Sequence, residues 1–99
     1  MRPIHTAHLD KARPVLVLTR ELVLPHRQQV TVAPITTTVR GLSTEVPVGP
    51  ANGIGYESVV SCDNIVTIAE DALGQRIGYL LPAQEPVLTA AIHAALDLE

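Results

Sequence analysis

The chain has no phenylalanine and no tryptophan, and only two tyrosines, one methionine and one cysteine among its 99 residues. A core without aromatic anchors has to be filled by Val, Leu, Ile and Ala, and the β-branched members of that set favour strands. Such a core leaves apolar surface for a partner to cover, so a homo-oligomer is expected. The lone Cys62 cannot form an intrachain disulfide, which excludes a disulfide-stapled secreted scaffold and fits a reducing, cytoplasmic setting. Following Val59-Val60-Ser61, it reads as a buried, inert thiol. No apolar run approaches the ~20 residues of a membrane span, and no cationic segment followed by an apolar stretch opens the chain, so no membrane anchor or signal peptide is expected. Internal repeats and low-complexity tracts are absent.

What is present excludes disorder: 46% of residues are hydrophobic and the mean hydropathy is +0.26. The length suits one domain over residues 1–99. Net charge is −3, but residues 1–50 carry six Lys/Arg against three Asp/Glu, whereas residues 51–99 carry one against seven. A polarised chain can steer an anionic ligand by local potential even when its net charge is negative.

Along the chain, Met1–Asp10 reads as a first strand, placed at a sheet edge by Pro3. Pro14–Thr19 is a continuous aliphatic run of the kind that builds a buried strand. Arg20–Gln29 reads as loop, Val30–Ile35 as strand, Val39–Thr44 as a polar connection, and Glu45–Val48 as a short strand interrupted by Pro47. The turn-rich Gly49–Gly55 predicts an exposed loop. Ser58–Cys62 and Ile65–Ile68 read as strands around an Asp63-Asn64 turn. One helical turn over Ala69–Leu73 is expected to end at Gly74, before a last strand over Gln75–Leu81. Pro82 opens a terminal helix whose apolar stripe is Leu88, Ile92 and Ala95/Leu96. Short strands without βαβ alternation, closed by one helix, predict a mainly β protein with a C-terminal helix (α+β), built as a small antiparallel barrel.

Arg13 opens one aliphatic strand and Thr36 closes the next. If the two form an antiparallel hairpin with Arg13 facing Thr36, the pairing sum is 49 and the hairpin is centred between Leu24 and Pro25, inside the polar, proline-containing segment Arg20–Gln29. A guanidinium and a hydroxyl at one sheet end make a plausible phosphate site.

The order and spacing of Arg13-Pro14-Val15-Leu16-Val17, Val32-Ala33-Pro34-Ile35-Thr36, Ser43-Thr44-Glu45-Val46 and Ser58-Val59-Val60-Ser61-Cys62-Asp63-Asn64 resemble the MazF/PemK family of bacterial toxin endoribonucleases. Thr67-Ile68, Leu73 and Ile77-Gly78 extend the likeness. The resemblance implies an SH3-like barrel of the MazF/CcdB type, a homodimer, and metal-independent cleavage of single-stranded RNA without a cofactor. It also implies a cognate MazE-like antitoxin whose acidic, disordered tail blocks a basic groove. It assigns the catalytic pair to Arg13 and Thr36. A ribose 2′-hydroxyl would attack its own phosphodiester to leave a 2′,3′-cyclic phosphate and a 5′-hydroxyl. Arg13 would stabilise charge on the phosphate oxygens and Thr36 would hydrogen-bond them; the 2′-hydroxyl requirement selects RNA. Two departures stand out: only Asp10-Lys11-Ala12 occupies the place of a longer glycine-rich loop carrying a glutamate, and Ile4-His5-Thr6-Ala7-His8 has no aromatic residue. The alternative is a non-catalytic toxin of the same fold that binds and poisons a protein target such as DNA gyrase.

Lys11, Arg20, Arg27 and Arg40 are candidate RNA phosphate contacts, Tyr56 a base-stacking candidate, and His8 a further RNA contact. His5 and His8 are three residues apart on a strand and so face opposite ways, which argues against a shared metal. Thr37 and Thr38 read as ordinary strand-favouring residues on a wet sheet face, and His93 as a surface residue of the helix.

Overall fold

Every aliphatic run identified above becomes a strand. The computed structural model describes residues 1–19 and 29–98, which form β1 (Pro3–His8), β2 (Ala12–Val17), β3 (Gln29–Thr36), β4 (Glu45–Val48), β5 (Ser58–Ser61), β6 (Val66–Ala69), β7 (Leu73–Tyr79) and helix α1 (Glu85–Ala95). The strands make one antiparallel sheet in the order β4-β5-β3-β2-β1-β7. β3 is the hub. One edge pairs with β2, and the other pairs first with β6 and then, at Ile35 and Thr36, with β5. Among the described residues, β4 and β7 end the sheet without pairing each other, so it curls without closing into a complete barrel.

Val15-Leu16-Val17 and Val32-Ala33-Pro34-Ile35 are buried throughout because both faces of the central sheet are covered. On one face Ile4, Leu16, Ala33, Ile35, Val60 and Leu80 pack against Leu88 and Ala91 of α1. On the other, Ala7, Val15, Val17, Val30 and Val32 form a smaller cluster sealed by Leu9, Ile68 and Leu73. Each fully buried aliphatic side chain contributes about 1.5–3 kcal/mol over the exposed state. Arg2 ties the chain's beginning to its end, donating to the Glu85 carboxylate at 3.1 and 3.2 Å and to the Leu18 carbonyl at 3.1 Å.

Several local expectations are revised. β1 is an interior strand, flanked by β2 and β7; Pro3 is tolerated because it is the strand's first residue, at the end of the ladder. Gly49–Gly55 is not an exposed loop throughout: Pro50–Asn52 form a 3₁₀ turn, and Asn52 and Ile54 are buried. Asn52 Nδ2 donates to the Tyr79 carbonyl at 2.9 Å, and its Oδ1 accepts from the Gly49 N–H at 3.1 Å. That segment lies against β7 because Gly78 has no Cβ; one there would collide with the Asn52 carbonyl oxygen. The helical turn expected at Ala69–Leu73 is a 3₁₀ turn over Glu70–Ala72, and Gly74 lies inside β7, where it makes room for the Thr6 hydroxyl. Pro82 opens a 3₁₀ turn that leads into α1; Leu88 and Ala91 are buried, Ile92 and Ala95 pack half-buried against the same core, and Leu96 is exposed past the helix end. The expected loop over Arg20–Gln29 lies outside the described residues except for Gln29, which begins β3. Among the described residues no helix is long and apolar enough to cross a membrane.

Candidate active site

β2 and β3 pair Val15 with Pro34, Leu16 with Ala33 and Val17 with Val32. The Leu18 N–H donates to the Thr31 carbonyl at 2.8 Å in the same register. These are the pairs whose numbers add to 49, and continuing the register sets Arg13 across from Thr36. Residues opposite each other share a face, so one surface runs from Val17 and Val32 through Val15 and Pro34 to Arg13 and Thr36. An apolar stripe turns polar where the sheet ends. There it opens into a groove of about 580 Å³.

Arg13 reaches the groove from β2, its guanidinium Nη2 held 3.1 Å from Asp10 Oδ1 and 3.2 Å from Oδ2. Asp10 sits in the tight turn between β1 and β2, where one of its oxygens also accepts the Lys11 N–H at 3.0 Å. The Arg13 Nε is buried and has no hydrogen-bond partner among the described residues. Thr36 Oγ1 accepts the Thr38 N–H at 3.1 Å. With an acceptor site used, the hydroxyl hydrogen remains available to donate. The site therefore offers an oriented cation and a neutral hydroxyl donor side by side, the pair an anionic phosphate oxygen requires.

The walls come from two connections that strand periodicity did not mark. The β3–β4 loop supplies Thr38, Arg40 and Leu42, and the 3₁₀ turn Cys62–Asn64 supplies Asp63 and Asn64. The Thr44 hydroxyl donates to Asp63 Oδ2 at 2.6 Å and clips the two connections together; Asn64 Nδ2 donates to Ser61 Oγ at 2.8 Å. Cys62 lies between Ser61 and Asp63 but points into the core, and its thiol is pushed from 9.0 up to about 11 by burial and then by the neighbouring Asp63 charge. It is not a nucleophile at neutral pH.

Among the RNA-contact candidates, Arg40 lines this groove with Arg13 and Thr36. Lys11 and His8 are exposed beside the β1–β2 turn and do not line it. Tyr56 is 76% exposed on the segment before β5, also outside the lining. Arg20 and Arg27 lie outside the described residues. The expectation of a basic groove is not met by the described lining, where Arg13 and Arg40 stand against Asp10, Glu45 and Asp63. Each of these carboxylates is already satisfied by an internal donor. Asp10, Glu45 and Thr38 join the groove without any strand or helix periodicity to mark them, whereas the Asp63-Asn64 turn stands at a strand end that the family likeness sets near the RNA groove or the dimer contact. For the first three, the spacing of Asp10 three residues before Arg13, across a tight turn, was the one available signal.

An Arg-Pro strand start facing an Ile-Thr strand end, at the polar end of a curled antiparallel sheet with one terminal helix, defines a small mainly β protein suited to a phosphodiester. The chain belongs to the PemK-like, MazF-like toxin family of type II toxin–antitoxin systems, which its residues 2–96 match. It is 67% identical over 99 residues to endoribonuclease MazF3 of Mycobacterium tuberculosis, covering 100% of this chain and 96% of that protein. The fold superposes on the solved M. tuberculosis toxin MazF-mt6 with a TM-score of 0.97 at 66% identity, over 99% of each chain. A mycobacterial endoribonuclease solved with its cognate antitoxin matches at a TM-score of 0.87 and 30% identity, over 98% of this chain and 93% of that one.

Proposed function

We infer that the chain is the toxin of a type II toxin–antitoxin pair and acts as an endoribonuclease on single-stranded RNA, with Arg13 and Thr36 as its catalytic residues. The observation that carries this is the β2–β3 register, which sets the guanidinium and the hydroxyl on one face at the mouth of the groove. The ribose 2′-oxygen forms a bond to its own phosphorus while the bond from phosphorus to the 5′-oxygen breaks. One fragment leaves with a 2′,3′-cyclic phosphate and the other with a 5′-hydroxyl. Because the nucleophile belongs to the substrate, no metal-activated water is required. Negative charge grows on the equatorial phosphate oxygens; Arg13 offers them its guanidinium charge and Thr36 its hydroxyl. Asp10, itself part of the groove lining, holds the guanidinium through Nη2. A guanidinium is too weak an acid to give up its proton in the step, so Arg13 stabilises charge, a different group takes the 2′-hydroxyl proton, and the departing 5′-oxygen takes up a proton from that group or from water.

On this reading the working protein is a cytoplasmic homodimer, silenced by a MazE-like antitoxin with an acidic, disordered tail. The relative solved with its cognate antitoxin supports such a partner. The test is incubation of a long synthetic single-stranded RNA with purified protein in EDTA, with Arg13→Ala beside it. Fragments with 5′-hydroxyl ends, lost in the variant, are expected. Intact RNA with a folded wild-type protein would overturn the ribonuclease reading and point to a toxin that acts by binding.

A further inference from the structure

The β3–β4 loop, residues 37–44, forms one wall of the groove, and its shape is imposed from outside the loop. Glu45, the first residue of β4, folds its carboxylate back under the loop. The Arg40 N–H donates to its two oxygens at 3.2 and 3.3 Å, the Gly41 N–H at 2.9 Å and the Leu42 N–H at 3.2 Å. In return the Glu45 N–H donates to the Leu42 carbonyl at 3.1 Å. Consecutive N–H groups converging on one anion form a nest. Gly41, at φ +73°, supplies the left-handed residue the reversal needs.

This arrangement has a consequence for charge. A carboxylate so near an arginine in sequence would ordinarily pair with its guanidinium. Glu45 is instead committed to the backbone, while Asp10 is committed to Arg13 and Asp63 to Thr44. Among the described residues, the Arg40 side chain lines the groove without an ion-pair or hydrogen-bond partner. Leu42, 47% exposed, is held two residues further on the same wall.

Resting on the endoribonuclease reading above, we propose that Glu45 is a positioning residue for RNA: by occupying the backbone nest of residues 40–42, it presents Arg40 uncompensated to a non-scissile phosphate and Leu42 to the flat face of a neighbouring base. The loop is ordered before RNA arrives, so its conformational cost is met in folding rather than in binding. Arg40 contacts a phosphate that does not react. It therefore holds ground state and transition state equally, and its loss registers in KM and leaves kcat.

The experiment is steady-state cleavage of a fluorescent oligoribonucleotide containing a sequence the wild type cleaves. It compares wild type, Glu45→Gln, Gly41→Ala, Arg40→Ala and the Arg40→Ala/Glu45→Gln double variant. Glu45→Gln keeps the side chain's shape but weakens its acceptance, and is expected to raise KM about tenfold with kcat within about twofold. Arg40→Ala gives a similar rise and lowers the slope of log affinity against log salt by about one. The double variant is no worse than the weaker-binding single variant, since Glu45 acts through Arg40. A Cβ at Gly41 meets nothing within 4 Å, so Gly41→Ala disturbs the loop by backbone strain alone and raises KM in the same way. If Glu45→Gln does not fold, Gly41→Ala combined with Arg40→Ala carries the same non-additivity test. An unchanged KM, a loss confined to kcat, or full additivity with Arg40→Ala would refute the proposal while leaving the ribonuclease reading intact. A wild type that cleaves no RNA would instead remove the reading on which it rests.

Discussion

Replacing Arg13 by methionine separates what the guanidinium does for RNA from what it does for the fold. The side chain is 24% exposed, its Nε is buried without a partner, and its ion-pair partner Asp10 is 74% exposed. A buried donor left unsatisfied costs about 1–3 kcal/mol, whereas an ion pair with so exposed a carboxylate contributes at most ~1 kcal/mol. Methionine retains an unbranched stem that packs like the arginine's aliphatic part and carries no buried donor. Stability should therefore stay level or rise by up to ~2 kcal/mol. A domain of this size shifts its Tm by about 4–8 °C for each kcal/mol. Removing one preorganised donor from a charge-stabilising site costs about 10²–10³ in rate. Thermal unfolding by circular dichroism and cleavage of the same RNA measure both sides. Arg13→Met should melt no lower than wild type and cleave at least about a hundredfold more slowly. A Tm lowered by more than ~5 °C, or cleavage within tenfold of wild type, would refute the reasoning that Arg13 is a functional residue held at a structural cost.

Thr36→Val keeps the branched shape but removes the hydroxyl, and should slow cleavage by about 10- to 100-fold while Thr36→Ser stays near wild type; the ratio of the two initial rates reads this directly. Gly78→Ala should destabilise by ~3 kcal/mol or more, because its Cβ would meet the Asn52 carbonyl where two backbones touch; urea unfolding reports it, and a small effect would mean the segment can move aside. Cys62 binds its proton more tightly when folded, up to about 11 against 9.0. Below pH 9.0 the thiol is protonated in both states and contributes nothing; between 9.0 and about 11 only the unfolded chain releases the proton, so stability falls as pH rises. The fall, at most ~1.4 kcal/mol per pH unit, should disappear in Cys62→Ala when unfolding is followed across that range.

Much of the architecture is legible in the residues because strand signals are local. Aliphatic runs of β-branched residues mark β2 and β3, and burial on both faces explains why those runs are continuous rather than alternating. The terminal helix announces itself through the spacing of Leu88 and Ile92, although the residue completing the buried stripe is Ala91. Pro3 misleads for an understandable reason: a proline cannot donate to a ladder, yet at the first position of β1 this does not stop Leu73–Tyr79 from pairing with the strand. Gly49–Gly55 has turn composition and is a turn, but Asn52 spends its polar atoms on Tyr79, Gly49 and Gln84 and so can be buried.

The sequence by itself determined the strands and offered one register for β2 and β3: facing Arg13 with Thr36 requires a sum of 49, and the three observed pairs have that sum. Because both strands are apolar on both faces, burial alone does not choose between registers; the connections and the neighbouring strands hold the one observed. Only the tertiary structure decided what surrounds that pair. The loop from β3, the turn after β5 and the turn before β2 meet because β3 is shared by β2, β5 and β6. Their shapes are set by side chains reaching backbone or distant partners, Glu45 to residues 40–42 and Thr44 to Asp63. Such bonds have no periodicity in the chain, since they depend on which segments the sheet brings together. They commit the carboxylates of the groove lining to internal donors, so that among the described residues the Arg40 side chain has no ion-pair partner there.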